Sequence, residues 1–188
     1  RDMPPGERTR LLRNLAKRIH ENVETLAQLE TRNVGKPIGD ARWEADAGAK
    51  VFDYYAGAIG HLCGQTIPVA RGGFDFTLRQ PMGVIAAITP WNFPFLIACW
   101  KVAPALAAGN SVVLKPASLT PLTALMLGQL AQEAGLPDGV LQVVPGSGSE
   151  AGNALATHPL VRKIGFTGST EVGATIMKLA ADDIKRVS

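Results

Sequence analysis

The chain has 188 residues, 46% of them hydrophobic, with 19 Lys and Arg against 16 Asp and Glu for a net charge of +3. That length and apolar content fill one substantial core, or one domain with an appendage, and exclude a disordered chain. The slight basic excess is spread rather than gathered on one recognisable element, so no nucleic-acid surface is expected.

Residues 8–31 have helical spacing. Leu11, Leu12, Leu15, Ala16 and Ile19 form an apolar stripe between Arg8, Arg10, Arg13, Lys17 and Arg18, which reads as an amphipathic helix with a basic wet face. Gly35-Lys36-Pro37 separates it from a second helical stretch, residues 40–60, carrying Trp43, Ala47, Val51, Tyr54, Tyr55 and Ala58. No apolar targeting segment is visible at the start. The cysteines are only Cys63 and Cys99, sparse usage that points to a cytoplasmic rather than a disulfide-stapled protein. His20, His61 and His158 are isolated from one another and from other ligand types, so no metal site is expected. The longest apolar run, 93–108, holds Lys101, Pro94 and Pro104 and reads as a buried helix rather than a membrane span.

After Gly72-Gly73, the alternating segment Phe74-Asp75-Phe76-Thr77-Leu78-Arg79 reads as an arm strand with one buried face. A hairpin folded back on its own chain is the plain alternative. From residue 82 the rhythm becomes buried strand, helix, buried strand. Runs at 84–88, 111–114, 139–144 and 162–166 favour β structure, with helical stretches at 95–107, 121–134 and 149–157 between them. This alternation predicts an α/β fold with a doubly wound parallel sheet and helices on both faces. The expected organisation is N-terminal helices over 1–72, an arm strand over 73–81 and a partial nucleotide-binding domain over 82–188.

In such sheets ligands gather at the carboxyl ends of the strands, and four of these ends carry unusual sequence. The first is Thr89-Pro90-Trp91-Asn92, where a carboxamide that donates without changing charge suits an oxyanion. Asn92 as a helix cap or turn residue is the alternative. The second is Lys115-Pro116-Ala117-Ser118. Lys115 suits a ribose or phosphate oxygen, or else is a solvated loop lysine, and Ser118 is a hydroxyl partner or the cap of the helix near Pro121. The third is the glycine-rich turn Pro145-Gly146-Ser147-Gly148-Ser149-Glu150-Ala151-Gly152, which departs from the common dinucleotide spacing and could be only a tight turn. The fourth, Phe166-Thr167-Gly168-Ser169-Thr170-Glu171-Val172-Gly173, opens a helix and reads as a pyrophosphate site or a capping box.

Together these four motifs resemble the aldehyde dehydrogenase superfamily over essentially the whole chain. The resemblance implies a modified Rossmann-type cofactor domain, part of an oligomerisation strand arm, and oxidation of an aldehyde with NAD or NADP. It places Asn92 in the oxyanion hole and Thr89, Pro90, Trp91, Lys115, Ser118, Gly148, Gly152, Phe166, Thr167, Gly168, Ser169 and Val172 around the cofactor, with Ile97 and Trp100 lining the aldehyde tunnel. Many NAD-preferring relatives carry Glu where this chain has Ser118, so NADP is also expected to be accepted. A glutamate base and a nucleophilic cysteine are expected beyond Ser188, and neither Cys63 nor Cys99 matches the nucleophile. The chain therefore reads as a segment of a longer enzyme, inactive by itself. The partners it implies are a small-molecule aldehyde and further copies of the chain in a dimer or a dimer of dimers. An acylating enzyme that hands the thioester to coenzyme A or phosphate is one alternative, and a non-catalytic nucleotide-binding or structural protein is another.

Overall fold

The structure, a computed structural model, describes residues 3–188. Three helices come first: α1 (Pro5–Glu21), α2 (Val23–Val34) and α3 (Ile38–Ala58), with a single 3-10 turn at Ile59–His61. The helical stretch expected over 8–31 is thus two helices. Asn22 breaks it with φ −110° and ψ 14°, and its side-chain amide donates to the Arg18 carbonyl at 2.8 Å, closing α1 with a bond the helix itself would have used. Gly35 ends α2 in the left-handed conformation (φ 84°), which only glycine adopts without strain. Pro37 then precedes α3.

A two-stranded antiparallel hairpin follows, β1 (Thr66–Ile67) and β2 (Asp75–Phe76). Here the sequence expectation is corrected twice. The strand covers two residues of the six proposed, and its partner lies inside the segment assigned to the helices. No face of it is buried within this chain: Phe74, Phe76 and Leu78 are 94%, 61% and 70% exposed.

The main sheet contains β3 (Val84–Ile88), β4 (Ser111–Lys115), β5 (Leu141–Val143), β6 (Val161–Phe166) and β7 (Arg186–Val187), all parallel, in the order β5-β4-β3-β6-β7. Between them run α4 (Pro94–Ala107), α5 (Leu122–Glu133), α6 (Asn153–Thr157) and α7 (Thr170–Ala180). The first run coincides with β3 and the third is trimmed to three residues, while β7 had no apolar run to announce it. Alternation along β3 shows why both faces are covered. Ile85 and Ala87 point into the larger core with α1 to α5, and Ala86 and Ile88 into the smaller one with Ile164, Ile176 and Ala180. This is a doubly wound, Rossmann-type sheet. The chain builds outward from β3 through β4 to β5, then returns to place β6 on the other side of β3. The loops leaving β3 and β6 therefore part to opposite faces, and a crevice opens between them.

One long-range contact fixes the start of α5. Asn33, near the end of α2, accepts from the Leu122 backbone N–H and donates to the Leu119 carbonyl, both at 3.1 Å. Such a cap contributes about 1 kcal/mol. Ser118, offered from sequence as this cap, donates instead to the Gly146 carbonyl at 2.9 Å.

Candidate functional site

Parallel register sets the floor of the crevice. Ile88 at the end of β3 is flanked by Lys115 of β4 and Phe166 of β6, and the Thr89 and Thr167 N–H groups continue the ladders onto the Lys115 and Ile88 carbonyls. Lys115 is therefore the last residue of a strand, 4% exposed, and not a solvated loop lysine. Its Nζ donates to the Pro116 carbonyl at 2.8 Å, which leaves two ammonium donors for a ligand, and burial lowers its pKa from the usual lysine value. The pyrrolidine of Pro116 has no N–H and stiffens the exit.

Above this floor lies a cleft of about 640 Å³. Its lining brings together Thr89, Pro90, Trp91, Asn92, Ile97, Lys115, Ser118, Gly148, Gly152, Phe166, Thr167, Gly168, Ser169 and Val172. Trp100 is not among them. It is half exposed, against Lys50, Val51, Tyr54 and Tyr55 on one flank and Lys101 on the other. Ile97 and Trp100 therefore do not share a cavity within this chain: Trp100 borders α3 on one flank and, on the other, a separate cleft that also holds Lys101, Phe166 and Thr167. Asn153, Thr175 and Ile176 also line the cleft. They carry no motif: Asn153 opens α6, and Thr175 and Ile176 come from the second turn of α7, helices whose direction only the fold sets.

Each strand end has its own local cause. Asn92 does not cap α4: the residue preceding the helix is Phe93, and no side chain caps it. The carboxamide is exposed and borders both the large cleft and a second one of about 450 Å³ lined by Val34, Lys36, Trp43, Glu44 and Phe93. After β5 the chain makes a π-helical turn, Gly148–Gly152, in place of the first half of the helix expected over 149–157. Ser147 opens it by accepting from the Glu150 N–H at 3.1 Å, and its hydroxyl donates to the Glu150 carboxylate at 3.0 Å. Such turns recur at functional sites. A Cβ on Gly148 would meet nothing within 4 Å, while one on Gly152 would touch the Lys115 stem at 3.9 Å.

After β6, Ser169 caps α7 by accepting from the Val172 N–H at 3.3 Å. No reciprocal box forms with Glu171, which stands one position early for it. The Thr170 and Glu171 N–H groups are left facing outward at the positive end of the helix dipole. The glycines here answer to packing: a Cβ at Gly168 would come within 2.6 Å of the Phe166 ring, and one at Gly173 within 3.3 Å.

Among the described residues, Lys115 is the one charged side chain in the lining. Thr89 Oγ1 is buried there without a hydrogen-bond partner. The donors thus match an anionic, hydroxyl-rich ligand. Neither cysteine is placed to react. Cys63 is exposed beyond the 3-10 turn, and Cys99 is fully buried in α4, where burial pushes its thiol pKa far up. Of the histidines, His20 pairs with Asp46 at 3.4 Å and His158 accepts from the Leu160 N–H at 3.2 Å. No helix among the described residues is long and apolar enough to cross a membrane.

A parallel, doubly wound sheet with these four strand ends defines a dinucleotide-type α/β domain. The chain belongs to the aldehyde dehydrogenase family, whose sequence model matches residues 1–188. DhaS of Bacillus subtilis (strain 168) is 48% identical over 189 residues, which is all of this chain and 38% of DhaS. The zebrafish (Danio rerio) 4-trimethylaminobutyraldehyde dehydrogenase A is 44% identical across 97% of this chain and 36% of its own length. Among solved structures, an E. coli NADP dependent enzyme superposes with a TM-score of 0.98 at 46% identity, covering 100% of this chain and 39% of that one. The NAD+ complex of aldehyde dehydrogenase from Bacillus cereus gives 0.97 at 44% identity, covering 99% and 38%. The chain thus spans less than two fifths of each of these four relatives.

Proposed function

We propose that the full-length protein oxidises an aldehyde to a carboxylic acid with NAD or NADP, and that this segment supplies the nucleotide cleft and the oxyanion donor. The observation that carries the reading is the position of Asn92, an uncommitted carboxamide on the rim shared by two clefts, one of them floored by Lys115.

The lining fits a dinucleotide. Lys115 would hold a ribose or phosphate oxygen with its two remaining donors, the Ser169 end of α7 would face the pyrophosphate, and the open space at Gly148 leaves room for the adenosine. No carboxylate lines the cleft near Ser118, so nothing there repels a 2′-phosphate, which supports acceptance of both cofactors. When bound, the nicotinamide would supply the acceptor for the hydride lost from the aldehyde-derived carbon.

The reaction itself needs a thiolate from the remainder of the full-length protein, attacking the carbonyl carbon to form a thiohemiacetal. Asn92 then donates its N–H to the developing oxyanion, a stabilisation that grows as the charge appears and is small for the neutral aldehyde. A carboxylate elsewhere in the protein activates water to release the acid from the thioester. The deciding experiment incubates the full-length protein with an aldehyde and NAD+ or NADP+, with and without coenzyme A. Acid and reduced nicotinamide without coenzyme A support the hydrolytic reading. A requirement for coenzyme A favours the acylating alternative, and no turnover with either cofactor overturns the oxidoreductase reading.

We also propose that the full-length protein is a homo-dimer or a dimer of dimers. Support comes from the hairpin, whose Phe74, Phe76 and Leu78 stand in solvent beside a short unpaired edge. Light scattering at micromolar concentration is expected to give a multiple of the chain mass, and a monomer would refute it.

A further inference from the structure

Behind the loop carrying Asn92, three charged residues meet out of water. Glu30 of α2 and Glu44 of α3 are 2% and 1% exposed. Lys36, from the turn between those helices, lies between them, with Nζ 3.5 Å from a Glu30 oxygen and hydrogen-bonded to Glu44. Two carboxyl groups and one ammonium held out of water are a costly arrangement that well-packed apolar residues would match or better. Burial pushes the Glu30 carboxyl pKa up, opposed by Thr123, Lys36 and the Phe95 backbone N–H. Stability alone does not account for such a group.

Its outward contacts account for it better. The Lys36 ammonium stands 4.4 Å from the centroid of the Phe93 ring, a cation–π contact with the residue that follows Asn92. Phe95 is in the first turn of α4, and its ring lies so close to α3, the helix that carries Glu44, that a Cβ on Gly48 would come within 2.5 Å of it. The cluster therefore holds the chain just before Pro94, and α3 itself holds it just after. We propose that Lys36, held by Glu30 and Glu44, is a positioning residue for Asn92: its ammonium on the Phe93 ring anchors the Pro90 to Phe93 loop so that the carboxamide is presented in one orientation between the two clefts. The functional half of this rests on the oxyanion reading of Asn92, whereas the anchor stands on the contacts alone.

The test uses the full-length protein with two readouts, amide hydrogen exchange of residues 91–97 and the separate values of kcat and nucleotide Kd. Lys36→Met keeps the stem and removes the charge. It is expected to speed exchange of 91–97 by about tenfold, with β6 unchanged, because local opening sets that rate. It also lowers kcat by about tenfold while nucleotide Kd moves by less than about twofold, as expected for an interaction realised in the transition state. Lys36→Arg restores both readouts in part, since a guanidinium also stacks on an aromatic face. Phe93→Leu leaves the buried cluster intact and produces the same acceleration, and Lys36→Met added to it changes nothing further, as coupled partners require. Exchange unmoved in Phe93→Leu, or losses that simply add in the double variant, would overturn the anchor; faster exchange with kcat intact would overturn the positioning of Asn92. Should Lys36→Met fail to fold, Phe93→Leu carries the test, because Phe93 is 44% exposed and tolerates truncation. Aldehyde turnover by the wild-type protein and its loss in Asn92→Ala judge the oxyanion reading separately.

Discussion

Asn92→Ala in the full-length protein is expected to lower kcat for aldehyde oxidation by about 100- to 1,000-fold, the loss of roughly 3 kcal/mol of oxyanion stabilisation. Nucleotide affinity should stay within about twofold, since the interaction belongs to the transition state. Melting temperature should hold as well. The side chain is exposed and caps nothing, and exposed substitutions away from caps and cores shift stability by no more than about 0.5 kcal/mol. Steady-state kinetics beside a nucleotide titration separate the quantities. A kcat within a few-fold of wild type would remove Asn92 from the chemistry.

Lys115→Met should act on the opposite quantity. It keeps the buried stem in place at the end of β4 and removes the ammonium, so affinity for both NAD and NADP should weaken by about 10- to 100-fold, as for a charge-assisted hydrogen bond of roughly 1.5–3 kcal/mol. At saturating nucleotide kcat should be nearly restored. A pH signature accompanies it. The charged form binds, and burial lowers the pKa at which the charge is lost, so wild-type affinity should fall as pH rises, before an ordinary lysine would titrate. Lys115→Met should lack that fall. Calorimetric titration checks both, and an affinity unchanged by the substitution would place the ribose or phosphate elsewhere in the cleft.

Much of the lining of the large cleft was legible because its determinants are local. Apolar runs bounded by Gly and Pro announced β3, β4, β5 and β6, and parallel sheets bind at strand ends, so residues following those runs could be named one by one. The buried acid cluster was missed although a signal existed. Glu30 falls in the helical stripe of Val23, Leu26 and Ala27, and Glu44 in that of Ala41, Ala45, Gly48 and Phe52. A carboxylate in a core position of an amphipathic helix asks for a partner. The trio could have been sought from that alone.

What the sequence by itself determined is the strands β3 to β6, the helical stretches between them and the residues that fall at the strand ends, since periodicity, turn residues and β-propensity act within a few positions of one another. Only the tertiary structure decided the rest. It placed β6 beside β3 and so opened the crevice, gave the α5 cap to Asn33 some ninety residues away instead of Ser118, turned Trp100 from the cleft that receives Ile97, and left Phe74, Phe76 and Leu78 without a covering face. Each of these depends on which surfaces meet across long stretches of chain. That pairing is set by burial of whole faces and by the hydrogen-bonding needs of distant backbone groups, quantities that no short window of residues contains.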